Sequence, residues 1–254
     1  MTSKERVLIA FAHKESDRVP AWCGASSEFW SKAKNELGLD DEGLRIRFGD
    51  DFRRVFACCA GNEVPLSEGN ISWTPFGVER QGLGYGQPIS HPLANASLGM
   101  VNDYPWPDPS WVDVSSIRDD AETFVEQYAI LGGDWSPFWH DAIDLLGMEN
   151  LYIKMYDEPE LVDAMMSHIV DYYVASRAKI FDVAADVIDI FFIGNDFGSQ
   201  TGPLLGEDLF RRFMLPHLKR LIDLGHDYNL KVMMHCCGGI APLIPSMIEV
   251  ELDA

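Results

Sequence analysis

The segment Asp186-Val-Ile-Asp-Ile-Phe-Phe-Ile-Gly194 is a short apolar run that a glycine closes. A run of this length, rich in β-branched and aromatic residues, is typical of a strand buried on both faces in a parallel sheet. A second run, Leu230-Lys-Val-Met-Met-His235, follows a helix predicted over 206–227. Strands that alternate with helices indicate βαβ units, so the sequence predicts an α/β fold.

The same alternation extends toward both ends of the chain. The predicted helices cover 3–14, 26–38, 119–127, 140–148, 158–184 and 242–249, and further strands are predicted within 17–24, at Arg53–Cys59 and at Tyr128–Gly132. Asp157 and Glu160 resemble a capping box at the start of helix 158–184. Residues 61–118 hold most of the prolines and lack a clear period, which predicts a loop excursion from a single domain at 1–254.

The chain continues from the second run into His235-Cys236-Cys237-Gly238-Gly239. Residues two apart in an extended chain point to the same side, so His235 and Cys237 can face one point while Cys236 faces away. Imidazole and thiolate are donors that zinc prefers, and a catalytic zinc takes three protein ligands with one open position. The alternative is a structural pair, with a buried cysteine and a histidine that hydrogen-bonds a carbonyl.

Composition limits the classes of function. The formal net charge of −20 would repel nucleic acid, and no basic stripe with interleaved aromatic residues offsets it. Five cysteines, four of them in two adjacent pairs, do not resemble a secreted disulfide framework. The N-terminal residues lack the apolar core of a signal peptide, and no uncharged run approaches the length of a membrane span. We therefore expect a cytoplasmic protein without nucleic-acid or membrane partners.

Other residues are candidates for the same site. Asp196 follows a buried strand, where a carboxylate contacts substrate, neighbours a metal or caps a helix. Trp22 and Glu28 could line the mouth of a pocket, and Gln200 could donate or accept a hydrogen bond from a loop. His140 could reach the site from the strand at 128–132, although a histidine capping helix 140–148 is the simpler interpretation.

Several ordered motifs resemble the uroporphyrinogen decarboxylase-like superfamily. They are Lys4-Glu-Arg-Val-Leu, Asp17-Arg-Val-Pro20, Phe48-Gly-Asp-Asp-Phe-Arg-Arg-Val55, Asp103-Tyr-Pro-Trp-Pro107, Gly194-Asn-Asp-Phe-Gly-Ser-Gln200, the Phe213-x-x-Pro216-x-x-Lys219 spacing and His235-Cys-Cys-Gly with the Ile-Ala-Pro-Leu-Ile-Pro after it. The resemblance spans essentially the whole chain. It implies a (β/α)8 barrel of the TIM type, with the active site at the C-terminal ends of the strands.

Within that superfamily, the chain is more similar to the corrinoid-dependent methyltransferases than to true decarboxylases. The decarboxylases carry an Arg-Gln-Ala-Gly-Arg segment after the first strand, whereas Trp22-Cys-Gly-Ala-Ser-Ser-Glu-Phe-Trp30 contains no arginine or lysine to bind carboxylates. The resemblance implies a zinc site at His235 and Cys237, with a more distal cysteine expected beyond residue 254. It also implies a corrinoid-carrying partner protein and a small methyl donor or acceptor. The family usually has glycine where this chain has Glu251.

Two other functions stay open from the sequence. A metal-free decarboxylase would use Asp196 to stabilise a protonated pyrrole, and a binding barrel would have no turnover. Self-association into a homo-oligomer is also open. About five strands and the start of a sixth at 252–254 are fewer than a closed barrel needs, so we expect an incomplete barrel and a fragment of a longer protein.

Overall fold

The computed structural model describes residues 1–59, 71–82 and 86–254; residues 60–70 and 83–85, nearly all of them in the predicted excursion, lie outside it. The helices are α1 (Ser3–Phe11), α2 (Ser27–Leu37), α3 (Asp41–Phe48), α4 (Leu98–Asn102), α5 (Ile117–Glu122), α6 (Phe138–Leu146), α7 (Met148–Asp157), α8 (Pro159–Ala184), α9 (Glu207–Leu209), α10 (Leu215–Asp227) and α11 (Ile244–Glu249). A π-helical segment spans Phe210–Met214, and short 3₁₀ helices span Pro109–Trp111 and Ala241–Leu243. The strands are β1 (Phe52–Arg54), β2 (Cys58–Cys59), β3 (Ile71–Trp73), β4 (Glu79–Gln81), β5 (Gln87–Pro88), β6 (Val112–Asp113), β7 (Ala129–Gly132), β8 (Ile190–Gly194) and β9 (Lys231–His235).

A four-stranded parallel sheet forms the centre of the fold. Its strand order is β1-β7-β8-β9, and every neighbouring pair runs parallel. Helices lie between consecutive strands of this sheet along the chain, since parallel neighbours need a crossover connection. The predicted α/β class is confirmed, and over the described ranges the sheet is open, in agreement with the expected incomplete barrel.

Strand β8 is buried on both of its faces. Ile190 and Phe192 pack on the inner face of the sheet with Phe52 and Leu131. Phe191 and Ile193 point the other way and join the larger core formed with the helices. This double burial explains why the sequence of β8 is continuously apolar instead of alternating.

The segment before α2 does not form the predicted first strand. Residues 21–26 carry no strand assignment. The backbone N–H of Ala21 is bound by the Asp51 side chain at 2.8 Å, and Ala21 O accepts from the Asp51 N–H at 2.8 Å. The Ala21 N–H donates to the Asp51 side chain, and Pro20 has no backbone N–H. Neither residue can therefore donate a backbone hydrogen bond to β1, and the segment runs beside β1 without a ladder of such bonds.

Three other predictions need correction. The strand predicted at Arg53–Cys59 is divided between β1 in the parallel sheet and β2, which pairs antiparallel with β6. The helix predicted at 140–148 ends at Gly147, whose φ of +80° breaks it, and α7 follows directly. The capping box of α8 is absent, since the N-cap is Glu158 and makes no side-chain cap bond.

The last residues of the chain lie along β9. Ala254 N donates to Val232 O at 3.3 Å, and Met234 N donates to Ala254 O at 2.8 Å, the pattern of parallel pairing. This agrees with the start of a strand predicted at 252–254. Glu251 has a left-handed φ of +65°, a conformation that glycine adopts more easily than a residue with a Cβ.

The predicted excursion contains short elements of its own. Strands β3, β4 and β5 form an antiparallel sheet, and α4 packs against α8. That the whole chain is one domain stays a prediction. Within the part of the chain that is described, no helix is long and apolar enough to cross a membrane.

Candidate metal centre

The loops that follow β8 and β9 start side by side at the same edge of the sheet. Gly194 is the register partner of His235, and Asn195 N donates to His235 O at 3.0 Å. The parallel pairing therefore continues one residue past β8. It brings the Asn195–Gln200 loop against the His235–Gly239 loop at the C-terminal end of the sheet, where barrel enzymes carry their chemistry.

Three side chains with metal-binding atoms meet at this edge. The ligand atoms of Asp196, His235 and Cys237 all lie within 4.8 Å of one another. His235 Nε2 is 3.2 Å from Cys237 Sγ and 3.7 Å from Asp196 Oδ1. Two ligands of one tetrahedral zinc are separated by roughly 3.5 Å, given zinc–nitrogen and zinc–sulfur bonds of about 2.0–2.3 Å. The donor set and its spacing therefore fit zinc.

Asp196 also fixes the backbone of the cysteine. The N–H of Cys237 donates to Asp196 Oδ1 at 2.7 Å. Burial alone would raise the pKa of Asp196, but the hydrogen bonds from Cys237 and the nearby histidines hold this pKa below its usual value. In contrast, burial and the Asp196 charge raise the pKa of the Cys237 thiol in the metal-free protein. A cation at this point would reverse that effect, since metal coordination favours thiolate.

Two glycines allow the two loops to touch. A Cβ on Gly198 would lie 2.7 Å from Cys237 O, and one on Gly238 would lie 2.5 Å from the carbonyl carbon of Gly198. Gly239 N donates to Ser199 O at 2.8 Å across the same contact. The position of Cys237 is thus set by backbone-to-backbone packing that a side chain on either glycine would prevent.

Helix α6 delivers His140 to the site. The buried Asn195 side chain accepts the Trp139 N–H at 2.9 Å and so links the end of β8 to the first turn of α6. His140 Nε2 then lies 3.5 Å from Asp196 Oδ2. Burial lowers the pKa of His140, and the Asp196 charge opposes this shift. His140 lies inside α6, whose N-cap is Pro137, so the interpretation of His140 as a helix cap is wrong.

Aromatic rings contact the imidazole of His235 from two sides. The Trp22 ring centre is 6.1 Å from that of His235, and the Trp135 ring centre is 5.6 Å from it. Both tryptophans also pack on Phe192, each at 5.2 Å. The imidazole of His235 therefore lies beside an apolar wall formed by Trp22, Trp135 and Phe192.

The structure separates the remaining predicted residues from this cluster. Glu28 is exposed in the first turn of α2, where Ser27 Oγ donates to it at 3.3 Å. Gln200 is exposed at the end of the Asn195–Gln200 loop. Neither makes a contact with the three ligand atoms in the described residues, and their substrate-binding roles stay predictions.

Sequence reasoning missed Trp135 and Arg54. Trp135 follows β7 in a loop where Gly133, Asp134 and Ser136 all have positive φ, a strained geometry that the sequence does not reveal. Arg54 ends β1 two residues after Phe52 and so shares the inner face of the sheet with it. That spacing was the available signal for Arg54.

Comparison with known proteins places this geometry in a family. The family model described as uroporphyrinogen decarboxylase (URO-D) matches residues 114–254, which include α6, β8, β9 and the three candidate ligand residues. The chain belongs to the uroporphyrinogen decarboxylase family. The superfamily to which the sequence motifs pointed is thereby confirmed.

The relatives of this uroporphyrinogen decarboxylase family member carry methyltransferase names. The protein named methylcobamide:CoM methyltransferase MtbA from Methanosarcina mazei is 19% identical over 273 residues, covering 100% of this chain and 75% of its own length. The protein of the same name from Methanosarcina acetivorans is 19% identical over 257 residues, covering 93% of this chain and 70% of its own length.

A solved structure supports the fold. A methyltransferase from Methanosarcina mazei superposes with a TM-score of 0.61 at 17% identity, over 100% of this chain and 75% of that chain. At this identity the match shows a shared fold. The sequence-based preference for the methyltransferase branch agrees with these relatives.

Proposed function

We propose that this family member is a zinc-dependent methyltransferase that moves a methyl group between a corrinoid on a partner protein and a small molecule. The observation that carries the proposal is the His235 and Cys237 pair, 3.2 Å apart beside Asp196 at the C-terminal end of the sheet. The names of the two Methanosarcina relatives support the same chemistry.

His235 and Cys237 would hold the zinc, and Asp196 offers a carboxylate within reach of the same point. Zinc in such a site supplies a Lewis acid that keeps a small thiol in its thiolate form at neutral pH. Asp196 holds the Cys237 backbone, so its role includes fixing the direction of the Cys237 side chain. His140 contacts the other oxygen of Asp196 and restrains the carboxylate from the side of α6.

The transfer itself is a displacement at the methyl carbon. The thiolate sulfur would form a bond to that carbon as the methyl group leaves the partner's corrinoid, which would keep the electron pair of the broken bond. The thiol proton would be released to solvent. With a methylated donor in place of a thiol, the methyl group would move to the corrinoid, and the donor's heteroatom would keep the electron pair of the bond that breaks.

The apolar wall of Trp22, Trp135 and Phe192 would shield this step from water. Excluding water strengthens the electrostatic interactions inside the site and prevents hydrolysis of reactive groups. The chain's own residues thus bind and orient the reactants, while the cobalt chemistry belongs to the partner.

Metal analysis tests the ligand assignment. We expect about one zinc ion per chain in the purified protein. In the His235→Ala, Cys237→Ala double variant, we expect zinc to fall below about a tenth of that amount, because two of the three ligand atoms are lost.

The control variant is Cys236→Ala. The sulfur of Cys236 accepts the Phe197 N–H at 3.2 Å, and it is outside the group of three ligand atoms. Zinc content should be unchanged in this variant. Zinc that persists in the double variant, or that is absent from the unmodified protein, would refute the metal centre.

A methyl-transfer assay tests the reaction. Zinc-loaded protein should demethylate methylcobalamin in the presence of a small thiol, followed by the loss of methylcobalamin absorbance and the appearance of the thioether. Failure with every thiol and every corrinoid-protein partner would overturn the proposal. Turnover of uroporphyrinogen by metal-free protein would replace it with decarboxylation.

A further inference from the structure

The predicted excursion is bound to helix α6 next to the candidate centre. His91 Nδ1 donates to the main-chain carbonyl of Asp144 at 2.6 Å, and Leu93 N donates to Leu145 O at 2.9 Å. These two bonds hold the segment that follows β5 against the C-terminal half of α6. The same helix carries His140 at its other end.

One cation of the excursion reaches the buried side of α6. Arg80 lies in the middle of β4, and its Nε atom is 3.5 Å from Asp144 Oδ2. The Asp144 side chain is only 6% exposed, so water screens its charge little. Burial raises the pKa of Asp144, and the Arg80 charge opposes that shift. Arg80 therefore stabilises a carboxylate that α6 alone would leave without a cation.

Asp144 and His140 share one face of α6. They are four residues apart, and side chains at this spacing lie one above the other because the Cα–Cβ bonds of a helix tilt toward its N-terminus. The charges of Asp144 and Arg80 both act on the His140 imidazole. The Nδ1 atom of this imidazole is buried and has no hydrogen-bond partner within the part of the chain that the structure describes. The Asp144 carboxylate is the acceptor that the same face of the helix offers to it.

The other nitrogen of the same ring faces the centre. His140 Nε2 is 3.5 Å from Asp196 Oδ2, and Asp196 Oδ1 accepts the N–H of Cys237 at 2.7 Å. A series of neighbouring charged and polar groups thus runs from β4 of the excursion through α6 to the loop after β8. In metal sites, such outer partners set the orientation of the ligands that they contact.

We propose that Arg80 is a positioning residue that acts through Asp144 and His140 to orient Asp196 at the candidate metal centre. The inference rests on the proposed function, because it assumes that the centre holds a metal ion. Arg80 keeps the Asp144 carboxylate in place, and that carboxylate limits the rotation of the His140 ring. The ring in turn restrains the second oxygen of Asp196. A segment that supplies none of the three ligand atoms thereby determines part of their geometry.

Zinc affinity in a double-mutant cycle tests this route. Competition with a chromophoric chelator gives the Kd of zinc for the unmodified protein and for each variant. We expect the Kd to rise about 10-fold in Arg80→Gln, at the lower end of what the outer partners of metal ligands contribute. In the His140→Ala background the same change should have no further effect, because the imidazole through which Arg80 acts is gone. Arg80→Lys keeps the charge and should recover part of the affinity.

Cobalt(II) in place of zinc gives a readout that does not depend on turnover. Its visible absorption bands change with the arrangement of the ligands, so Arg80→Gln should shift these bands and Arg80→Lys should restore them in part. Arg118→Gln is the matched control, since Arg118 forms exposed ion pairs with Glu122 and Asp186. Asp186 lies before β8, at the opposite end of that strand from Asp196. The zinc Kd and the cobalt spectrum should both be unchanged in this control.

Asp144→Asn removes the same ion pair from its other side, and it should weaken zinc binding to a similar extent. Melting curves show which variants are folded, and Asp144→Asn completes the cycle with His140→Ala if Arg80→Gln is not. A folded variant of either residue with an unchanged zinc Kd and cobalt spectrum would refute the positioning role. An equal rise of the zinc Kd in the presence and absence of His140 would also refute it.

The two proposals fail in different ways. Loss of the route through His140 leaves the metal centre and the proposed function intact. Failure of methyl transfer overturns the proposed function alone, since the cycle measures metal binding. If the unmodified protein binds neither zinc nor cobalt, the metal centre is refuted and the role of Arg80 is refuted with it.

Discussion

At the residue scale, the absence of a side chain at Gly194 is essential to the position of Trp135. A Cβ on Gly194 would lie 1.7 Å from Trp135 Cε3, so the indole occupies the space that any other residue would fill. Gly194 N also donates to Trp135 O at 2.7 Å. Glycine at the end of β8 therefore lets the Trp135 ring rest on the strand and reach His235.

Gly194→Ala should displace Trp135 and weaken the metal centre. We expect a loss of about 1–3 kcal/mol in the free energy of unfolding, as for other overpacked sites, together with changed tryptophan fluorescence and weaker zinc binding. Urea unfolding and a zinc competition titration measure these effects. Gly99→Ala in α4 is the control, since the nearest atom to its Cβ would be 3.9 Å away. Equal stability of Gly194→Ala and the unmodified protein would contradict the tight contact.

The candidate ligands were predictable because local sequence determines their positions. His235 and Cys237 are two apart at a strand end, and Asp196 is the second residue after a buried strand, so parallel pairing brings the three close together. Trp135 was not predictable, because its place depends on the positive φ angles of the loop after β7 and on packing across the sheet. Short-range patterns do not report either property.

At the scale of single elements, two helices have features that the sequence pattern does not predict. The helix predicted over 206–227 is interrupted by the π-helical segment Phe210–Met214. Pro216 lacks the N–H that would bond the carbonyl of Arg212, so the preceding turn is free to widen.

Helix α6 is nearly all buried, and that burial includes Asp141 and Asp144. A helix that buries two carboxyl groups carries a cost that depends on pH.

Burial raises the pKa of Asp141 to about 7, even though Tyr173 donates a 2.5 Å hydrogen bond to it. An unfolded aspartate has a pKa of about 3.9, so the protein takes up a proton on folding when the pH lies between about 4 and about 7. The stability linked to Asp141 is therefore fully present below about pH 4 and is lost as the pH rises through about 7.

Asp141→Asn should remove this dependence. Relative to the unmodified protein, the variant should gain a few kcal/mol of unfolding free energy between pH 5 and pH 8, measured by urea titration at both values. Other titrating groups, such as the buried His217, contribute to the unfolding free energy of both proteins, so their contributions cancel in the difference between the two values. A difference that is the same at both pH values would show that Asp141 does not carry the effect.

At the scale of the whole molecule, one buried carboxylate connects the N-terminal segments to the sheet. Asp51 precedes β1 and is fully buried. It accepts from Arg6 of α1 at 2.7 Å, from Arg18 at 2.7 and 2.8 Å, and from the Ala21 N–H at 2.8 Å. Burial would raise the pKa of Asp51, but these donors together lower it. The segment that carries Trp22 to the metal centre is held through this residue.

Asp51→Ala should destabilise the protein by about 3–5 kcal/mol, because it leaves buried donors without their acceptor. Urea unfolding gives the free energy. The control is Asp41→Ala, whose partner Lys34 is 3.1 Å away in an exposed pair, and which should cost about 1 kcal/mol or less. Similar losses in the two variants would contradict a central role for Asp51.

The global arrangement was predictable only in outline. The alternation of helices and apolar strands predicted the parallel sheet, since periodicity reports burial directly. The segment at 17–24 looked like a strand because it is apolar, yet the side chain of Asp51, thirty residues away in the chain, takes its donor at Ala21. The local hydrophobic pattern of a segment does not report such competition by a distant side chain for its backbone N–H groups.

The placement of His235 and Cys237 on a single strand end has a consequence for how an ion would arrive. A single peptide segment sets the distance between the imidazole nitrogen of His235 and the sulfur of Cys237, so the pair would act as a bidentate chelate. After either side chain binds the ion, the other is presented at a high effective concentration without any movement of the sheet. Asp196 belongs to a different loop, and the tight contact between Gly198 and Gly238 holds that loop against the segment that carries the pair. The pair could therefore capture the ion through one strand end alone, whereas the third donor depends on the packing of two loops.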